Sequence, residues 1–182
     1  MRRIIFLSVT GVLNTNRTTE SFYNERGTKS KGVDNRNIET LAYIAKHTGY
    51  PEIVIVDDWT DAEATEYLER KLAEYNLEVS DYIYERGKIR EDTISKYLNR
   101  NIQEEYRYVI FDYEHPCLHY THYPLRGHYI QTDRYPSVLL GDLEGGLISN
   151  TQIRKSIELL TGSKLKALFA VIARVFNKRR KK

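Results

Sequence analysis

The stretch from Arg3 to Asn14, which reads Arg-Ile-Ile-Phe-Leu-Ser-Val-Thr-Gly-Val-Leu-Asn, determines the predicted fold. It begins with a short unbroken apolar run, residues 4–7, which is typical of a strand buried on both faces at the centre of a parallel sheet. Gly11 then allows a sharp turn. Ligands of open α/β sheets bind beyond the carboxyl ends of the strands, so the sequence predicts that Ser8 and Thr10 lie at any site.

Further apolar runs and amphipathic segments alternate along the chain, which predicts an α/β fold with a parallel sheet. The predicted strands are Ile53–Val56, Tyr82–Tyr84, Tyr108–Phe111 and Tyr129–Asp133. Four helices are predicted in the domain. The first begins at Asp34, the second runs from Thr60 or Asp61 to about Tyr75, the third includes Ile94, Tyr97 and Leu98, and the fourth runs from the N-cap Ser149 to Gly162. Residues 14–31 are polar and predict a long loop.

The apolar strand followed by Ser8-Val9-Thr10-Gly11 and Val-Leu-Asn resembles the first motif of the haloacid dehalogenase-like (HAD) phosphohydrolases. It is similar above all to the small HAD domains of RNA-repair proteins. The resemblance covers about residues 3–162 and implies a HAD-like, three-layer parallel sheet with a minimal cap. The family has Asp-x-Asp at positions 8–10, where the first Asp is the nucleophile and a Mg²⁺ ligand, and the second is the general acid/base.

The substituted hydroxyls change the expected chemistry. Ser8 brings no negative charge to a metal and is a weak nucleophile without an adjacent base. Thr10 does not titrate near neutral pH, so it cannot relay a proton as a carboxyl group does. The sequence therefore predicts a HAD-like domain that has lost the usual phosphatase chemistry. Ser8 and Thr10 are then either a degenerate catalytic pair or strand-end hydroxyls that satisfy nearby backbone groups.

Other motif positions also depart from the family. The relatives have a Ser-rich run before Trp, in which a hydroxyl holds the phosphate, whereas this chain has Asp57 and Asp58 before Trp59. Lys88 is the nearest match to the family's phosphate-neutralising Lys, with Arg86 or Arg90 as equal alternatives. Asp112 and Glu114 correspond to acidic Mg²⁺ ligands.

Two metal sites follow as weaker hypotheses. Asp57, Asp58, Asp112 and Glu114 offer the oxygen ligands that Mg²⁺ prefers. A helix cap formed by Asp57 or Asp58, with the other carboxylates solvated, is favoured over this site because the family's central ligand is absent. His115, Cys117, His119 and His122 are residue types that bind zinc, but their spacing matches no common zinc pattern. No cofactor is therefore expected, with Mg²⁺ as the alternative. If the protein is an enzyme, the catalytic residues would be Asp57, Asp58, Lys88 and Asp112.

Composition describes an ordinary globular chain of 182 residues, with 41% hydrophobic and 29% charged residues. One cysteine, no signal-peptide pattern and no long apolar segment predict a cytoplasmic protein or a component of a particle assembled inside the cell. Fifteen tyrosines, several near residues 106–135, favour packing and interfaces over stacking on nucleic acid.

Charge divides the chain into a domain, residues 1–162, and a tail, residues 163–182. The tail has eight of the 28 basic residues and no acidic one, which leaves the domain with 20 basic and 25 acidic residues, a net charge of −5. The tail predicts a basic amphipathic helix with an apolar stripe. The stripe and the adjoining basic residues are Leu165, Leu168, Phe169, Ile172, Val175, Phe176, Lys178, Arg179 and Arg180.

Three functional hypotheses follow. In the first, an inactive HAD-like domain is a structural part of a larger assembly, such as a virus particle, and its tail helix binds a protein partner or a second copy. In the second, the chain is a divergent Mg²⁺-dependent phosphohydrolase. In the third, the tail and the tyrosines bind nucleic acid. The tail could also lie on an anionic membrane or pack on its own domain.

Overall fold

In a computed structural model, residues 1–23, 26–100, 105–114, 125–132, 146–147 and 149–180 are described, with side chains through residue 177. Within these residues a five-stranded parallel sheet has the order β5-β4-β1-β6-β7. Its strands are β1 (Arg2–Leu7), β4 (Glu52–Ile55), β5 (Val79–Tyr82), β6 (Tyr106–Asp112) and β7 (Tyr129–Gln131). The predicted central position of the first strand is confirmed, because β1 pairs with both β4 and β6.

Helices cover both faces of the sheet. They are α1 (Asn35–Thr48), α2 (Ala62–Ala73), α3 (Arg90–Asn99), α4 (Asn150–Thr161) and α5 (Lys164–Arg180). Alternate residues of β1 contact different layers: Ile5 and Leu7 pack in one apolar cluster with α1, α2 and α4. Ile4 and Phe6 pack in a second cluster with Ile94 of α3. The predicted three-layer α/β fold with a parallel sheet is confirmed.

The N-caps predicted for α1 and α4 are present. The Asp34 side chain accepts a hydrogen bond from the Arg36 amide, and Ser149 forms a capping box with Gln152. Gly162, at φ +70°, ends α4 in the left-handed region. This backbone conformation favours glycine in the turn between α4 and α5, and a Cβ atom there would also require the Arg107 guanidinium to move.

Two predicted elements differ from the structure. A strand was predicted at Tyr82–Tyr84, whereas the corresponding strand, β5, is Val79–Tyr82. Beyond the end of β5, the Ile83 amide donates one further hydrogen bond to the Ile55 carbonyl. The predicted loop at residues 14–31 contains an antiparallel hairpin of β2 (Ser21–Tyr23) and β3 (Lys29–Lys31). Both differences arise where tertiary contacts decide the structure of short polar segments.

Helix α5 packs on its own domain through small residues. Ala167 and Ala170 are buried, and the Tyr43 hydroxyl of α1 donates to the Ala170 carbonyl at 2.5 Å. Arg174 reaches the same interface, where its guanidinium donates to the Thr40 hydroxyl at 3.0 Å and lies over the Tyr43 ring. Among the described helices, none combines the length and apolar character needed to cross a membrane.

Replacing Ala167 with Leu is expected to loosen α5 from the domain. The site is fully buried, and overpacking of this kind costs about 1–3 kcal/mol of the free energy of unfolding. Ala173→Leu is the matched control, because Ala173 is exposed on the same helix. Urea unfolding gives the difference in stability, and hydrogen exchange reports protection of the α5 amides. Equal stability and equal α5 protection in the two variants would contradict the packed interface.

Candidate functional site

The polar residues that follow three neighbouring strands meet at the carboxyl edge of the sheet. Ser8 follows β1, Asp57 follows β4 and Asp112 ends β6. The ladders continue past the strands, because the Ser8 amide donates to the Phe111 carbonyl at 3.0 Å and the Val56 amide to the Leu7 carbonyl at 3.1 Å. These hydrogen bonds bring residues distant in sequence to one edge of the sheet.

The Asp57 carboxylate is the centre of this edge. Its Oδ2 atom accepts hydrogen bonds from the main-chain amides of Val9, at 2.7 Å, and Thr10, at 2.9 Å. The Ser8 hydroxyl lies 3.1 Å from the same oxygen. Asp57 is only 2% exposed and Ser8 is fully buried. One carboxylate oxygen therefore holds the turn that follows β1.

Burial raises the pKa of Asp57 above the ordinary value for a carboxyl group. The amides of Thr10 and Val9, the Ser8 hydroxyl and the charge of Arg90 oppose this effect by favouring the ionised form. The second carboxylate oxygen, Oδ1, is buried and has no hydrogen-bond partner among the described residues. The group therefore holds the turn through one oxygen while the other remains desolvated.

Asp112 is paired with a cation. The Arg90 guanidinium forms an ion pair with the Asp112 carboxylate, and its Nε donates to the Val56 carbonyl at 3.1 Å. Burial raises the pKa of Asp112, and the Arg90 charge opposes that effect. Glu114 lies 3.8 Å from the same guanidinium but is largely exposed. Arg90, one of the alternatives named from sequence, thus occupies the place beside the acidic residues.

The remaining predicted site residues lie at the margins. Asp58 is exposed and lines a cavity of about 390 Å³ together with Thr10 and Trp59. Lys88 is exposed and lines a second cavity, of about 270 Å³, on the side of Arg90 and Asp112. The structure thus brings Ser8, Asp57, Arg90 and Asp112 together and leaves Asp58 and Lys88 towards solvent.

The β2–β3 hairpin forms one wall of the larger cavity, which sequence reasoning missed. Phe22 of β2 stacks on Tyr67 of α2, with ring centroids 4.6 Å apart, and also contacts Trp59. The Trp59 indole donates to the Thr10 hydroxyl at 3.2 Å. The aromatic spacing gave no signal for this wall, because Phe22, Trp59 and Tyr67 belong to different segments.

The histidine-rich segment with Cys117 lies outside the described residues, as do Tyr120, Tyr123 and Tyr135. Of the described tyrosines in that region, Tyr129 is buried and Tyr108 stacks on His128 with ring centroids 3.9 Å apart. These contacts agree with a packing role for these two residues. The zinc and nucleic-acid hypotheses stay predictions.

Two of the four carboxylates predicted as Mg²⁺ ligands, Asp57 and Asp112, already make other contacts in this arrangement. A Mg²⁺ ion needs free oxygen ligands in octahedral geometry. One oxygen of Asp57 already accepts three hydrogen bonds, and Asp112 is paired with the Arg90 cation. No group of three or more His, Cys, Asp or Glu side chains gathers closely enough to hold a metal within the described part of the chain. Metal binding by Asp57, Asp58, Asp112 and Glu114 stays a prediction.

The sheet order and the motif positions at its carboxyl edge define a HAD-like domain. The profile of a family described as the HAD domain in Swiss Army Knife RNA repair proteins matches residues 4–137. The chain belongs to this family, which confirms the resemblance seen in its sequence.

Solved structures with a similar fold include a hypothetical protein from Xanthomonas campestris. It is 12% identical, with a TM-score of 0.49, over 93% of this chain and 87% of that protein. Another is a candidate HAD superfamily (subfamily III A) hydrolase from Legionella pneumophila, which is 14% identical, with a TM-score of 0.49, over 96% of this chain and 90% of the other. A search of curated proteins finds no significant match.

Asp57→Ala is expected to destabilise the fold, whereas Asp58→Ala changes stability little. Removing Asp57 leaves the Val9 and Thr10 amides and the Ser8 hydroxyl without their acceptor, at a cost of about 1–3 kcal/mol for each buried group that finds no water. Asp58 is exposed and is therefore a matched control of the same residue type. Urea unfolding of both variants gives the comparison, and equal stability would show that Asp57 does not hold the turn.

The raised pKa of Asp57 also predicts a pH dependence. Above pH 4 or so, the unfolded chain releases this proton while the folded protein retains it, so its contribution to the free energy of unfolding falls as the pH rises towards the raised pKa. The stability of the wild type relative to Asp57→Asn should therefore decrease with pH in this window.

Asp58→Asn is the control for this pH dependence, because it removes the same charge from an exposed neighbour. It should leave the decrease unchanged. Unfolding free energies measured at a series of pH values test both statements. A difference that rises with pH would mean that the hydrogen bonds to Asp57 outweigh its burial.

Proposed function

We propose that this HAD-family domain does not hydrolyse phosphate esters and acts as an interaction component of a larger protein assembly, which it joins through α5. The observation that carries the first part is the Asp57 carboxylate on the Val9 and Thr10 amides. An anionic substrate group approaching those amides would meet a buried acidic side chain that already uses them. Such a carboxylate repels a phosphate unless a cation lies between them.

The positions of carboxylate and hydroxyl support this proposal. The resemblance places a carboxylate at residue 8 and a phosphate-holding hydroxyl near residue 57. This chain has the reverse, Ser8 and Asp57, and the two side chains lie 3.1 Å apart. The carboxylate of this pair therefore lies on the neighbouring strand, where it accepts hydrogen bonds from the turn after β1.

Neither residue is suited to attack a phosphorus atom in this arrangement. The Ser8 hydroxyl is fully buried and directed at Asp57 and at the Thr10 carbonyl, which is 3.2 Å away. Asp57 has one oxygen held by three donors and is 2% exposed. A nucleophile must present a free lone pair to the substrate, and a catalytic acid/base must titrate beside it. Thr10, at the second motif position, donates its amide to Asp57 and accepts from Trp59.

The second part of the proposal is supported by the exposed face of α5. Five large apolar side chains of this helix are 40–62% exposed. They are Leu165, Leu168, Phe169, Ile172 and Phe176, and we call them the α5 stripe. Contiguous apolar surface of this kind on a packed helix is typical of a site that binds another protein or a membrane.

With Mg²⁺ and para-nitrophenyl phosphate, the wild type is expected to hydrolyse substrate no faster than buffer, because Ser8 replaces the attacking carboxylate, Asp57 is held by the turn after β1 and Asp112 is paired with Arg90. Asp112→Ala should give the same rate as wild type. This variant separates a contaminating phosphatase, which it does not affect, from activity of the protein itself. Turnover above buffer in the wild type that is lost in Asp112→Ala would establish the phosphohydrolase alternative and contradict the proposal.

A further inference from the structure

The two faces of α5 differ in a way that fixes how the helix is presented. Ala167 and Ala170 are buried against the domain, and Tyr43 bonds to the helix backbone. At about 100° per residue, the α5 stripe lies on the side of the helix opposite these alanines. The domain therefore holds α5 in place and leaves the stripe facing outward, already helical and already ordered.

The spacing of the stripe fits another helix. Residues 165, 168, 172 and 175 follow the alternating three- and four-residue steps of a heptad seam, and Phe169 and Phe176 widen it on one side. Val175, the remaining member of this seam, is half-buried. A seam of this type receives the apolar face of an amphipathic helix in a side-by-side arrangement.

The charged residues near the α5 stripe indicate which residues should lie beside the apolar face of a bound helix. Residues 163–182 contain eight basic residues and no acidic residue. Lys164 and Lys166 lie at the start of the helix, Arg174 contacts the domain, and the other five form a cluster at residues 178–182, after the last stripe residue. Acidic side chains beside the partner's apolar face would complement this charge and steer association.

We propose that the α5 stripe binds an amphipathic helix of a partner protein whose apolar face is flanked by acidic residues. This inference rests on the interaction part of the proposed function and gives its partner a chemistry. Because α5 is held by the domain before binding, less conformational entropy is lost on association than for a free peptide helix.

Two other binding partners for the α5 stripe, a second copy of this chain and an anionic membrane, fit the charges less well. If the α5 stripes of two copies paired, two basic helices with no acidic residue would lie side by side, and their like charges would repel. An anionic membrane would attract α5 but would bring the rest of the domain, with its net charge of −5, close to a surface of the same sign. An acidic partner helix covers only the stripe and avoids both penalties.

The experiment uses the full chain and designed helical peptides of several heptads. The first peptide has Leu at the seam positions and Glu at the flanking positions, and repulsion between its Glu residues limits self-association. A second peptide has Lys in place of Glu, and a third keeps Glu but has Ser at the seam. Fluorescence anisotropy of labelled peptides at low and high salt measures binding.

The Glu-flanked peptide is expected to bind, with affinity falling as salt rises, and the Lys-flanked and Ser-seam peptides should not bind. The double variant Leu168→Ser with Phe169→Ser should weaken binding by about tenfold or more, because both side chains are exposed centre positions of the stripe. Tyr50→Ser is the matched control, since Tyr50 is a 58% exposed aromatic residue that does not belong to α5, and its loss should leave binding unchanged.

Three results would overturn the inference. They are equal binding of the Glu- and Lys-flanked peptides, absence of binding by the Glu-flanked peptide, and binding that survives the double variant. Membrane binding is tested by sedimentation with phosphatidylcholine vesicles that contain phosphatidylserine. Dimerisation is tested by sedimentation velocity of the protein alone. Stripe-dependent vesicle binding or dimerisation in place of peptide binding would also overturn it. The proposal that the domain does not hydrolyse phosphate esters is tested separately, because it fails only if the wild type shows turnover that is lost in Asp112→Ala.

Discussion

The hydrogen bonds between the Asp57 carboxylate and the amides of Val9 and Thr10 are the constraint on which the site depends. A chain that turns sharply after a buried strand leaves main-chain amides that need an acceptor. In this protein the acceptor comes from the neighbouring strand. The buried amides are satisfied within the fold, and the turn after β1 does not need an external anion to be complete.

This internal acceptor connects the remaining features of the carboxyl edge. Ser8 donates to the same carboxylate. The Trp59 indole donates to the Thr10 hydroxyl and contacts Phe22 of the β2–β3 hairpin. Arg90 neutralises Asp112 on the other side. The side chains of Ser8, Thr10 and Asp112 and one oxygen of Asp57 thus have partners from the chain itself, which is the arrangement of a structural site. The surface available for a function of another kind lies on α5, where apolar side chains are exposed.

Much of the fold was predictable because its signals are local. The unbroken apolar run of β1 reflects burial on both faces, and the caps at Asp34 and Ser149 satisfy amides within the same helix. The β2–β3 hairpin was not predictable, since its Phe22 is held by Tyr67 from a distant helix. The sequence showed that residues 8 and 57 had departed from the family, but not that they contact each other. The periodicity of α5 predicted the stripe, whereas small alanines gave no sign that the opposite face packs on the domain.

The most direct test of the central claim is a crystal structure of the protein grown with Mg²⁺ and a tetrahedral or trigonal phosphate mimic such as beryllium fluoride. The account predicts that Asp57 keeps its hydrogen bonds to the amides of Val9 and Thr10 and that no anion lies between Ser8 and that turn. A phosphate mimic bound to these amides with its Mg²⁺ ion, and Asp57 displaced from them, would contradict it.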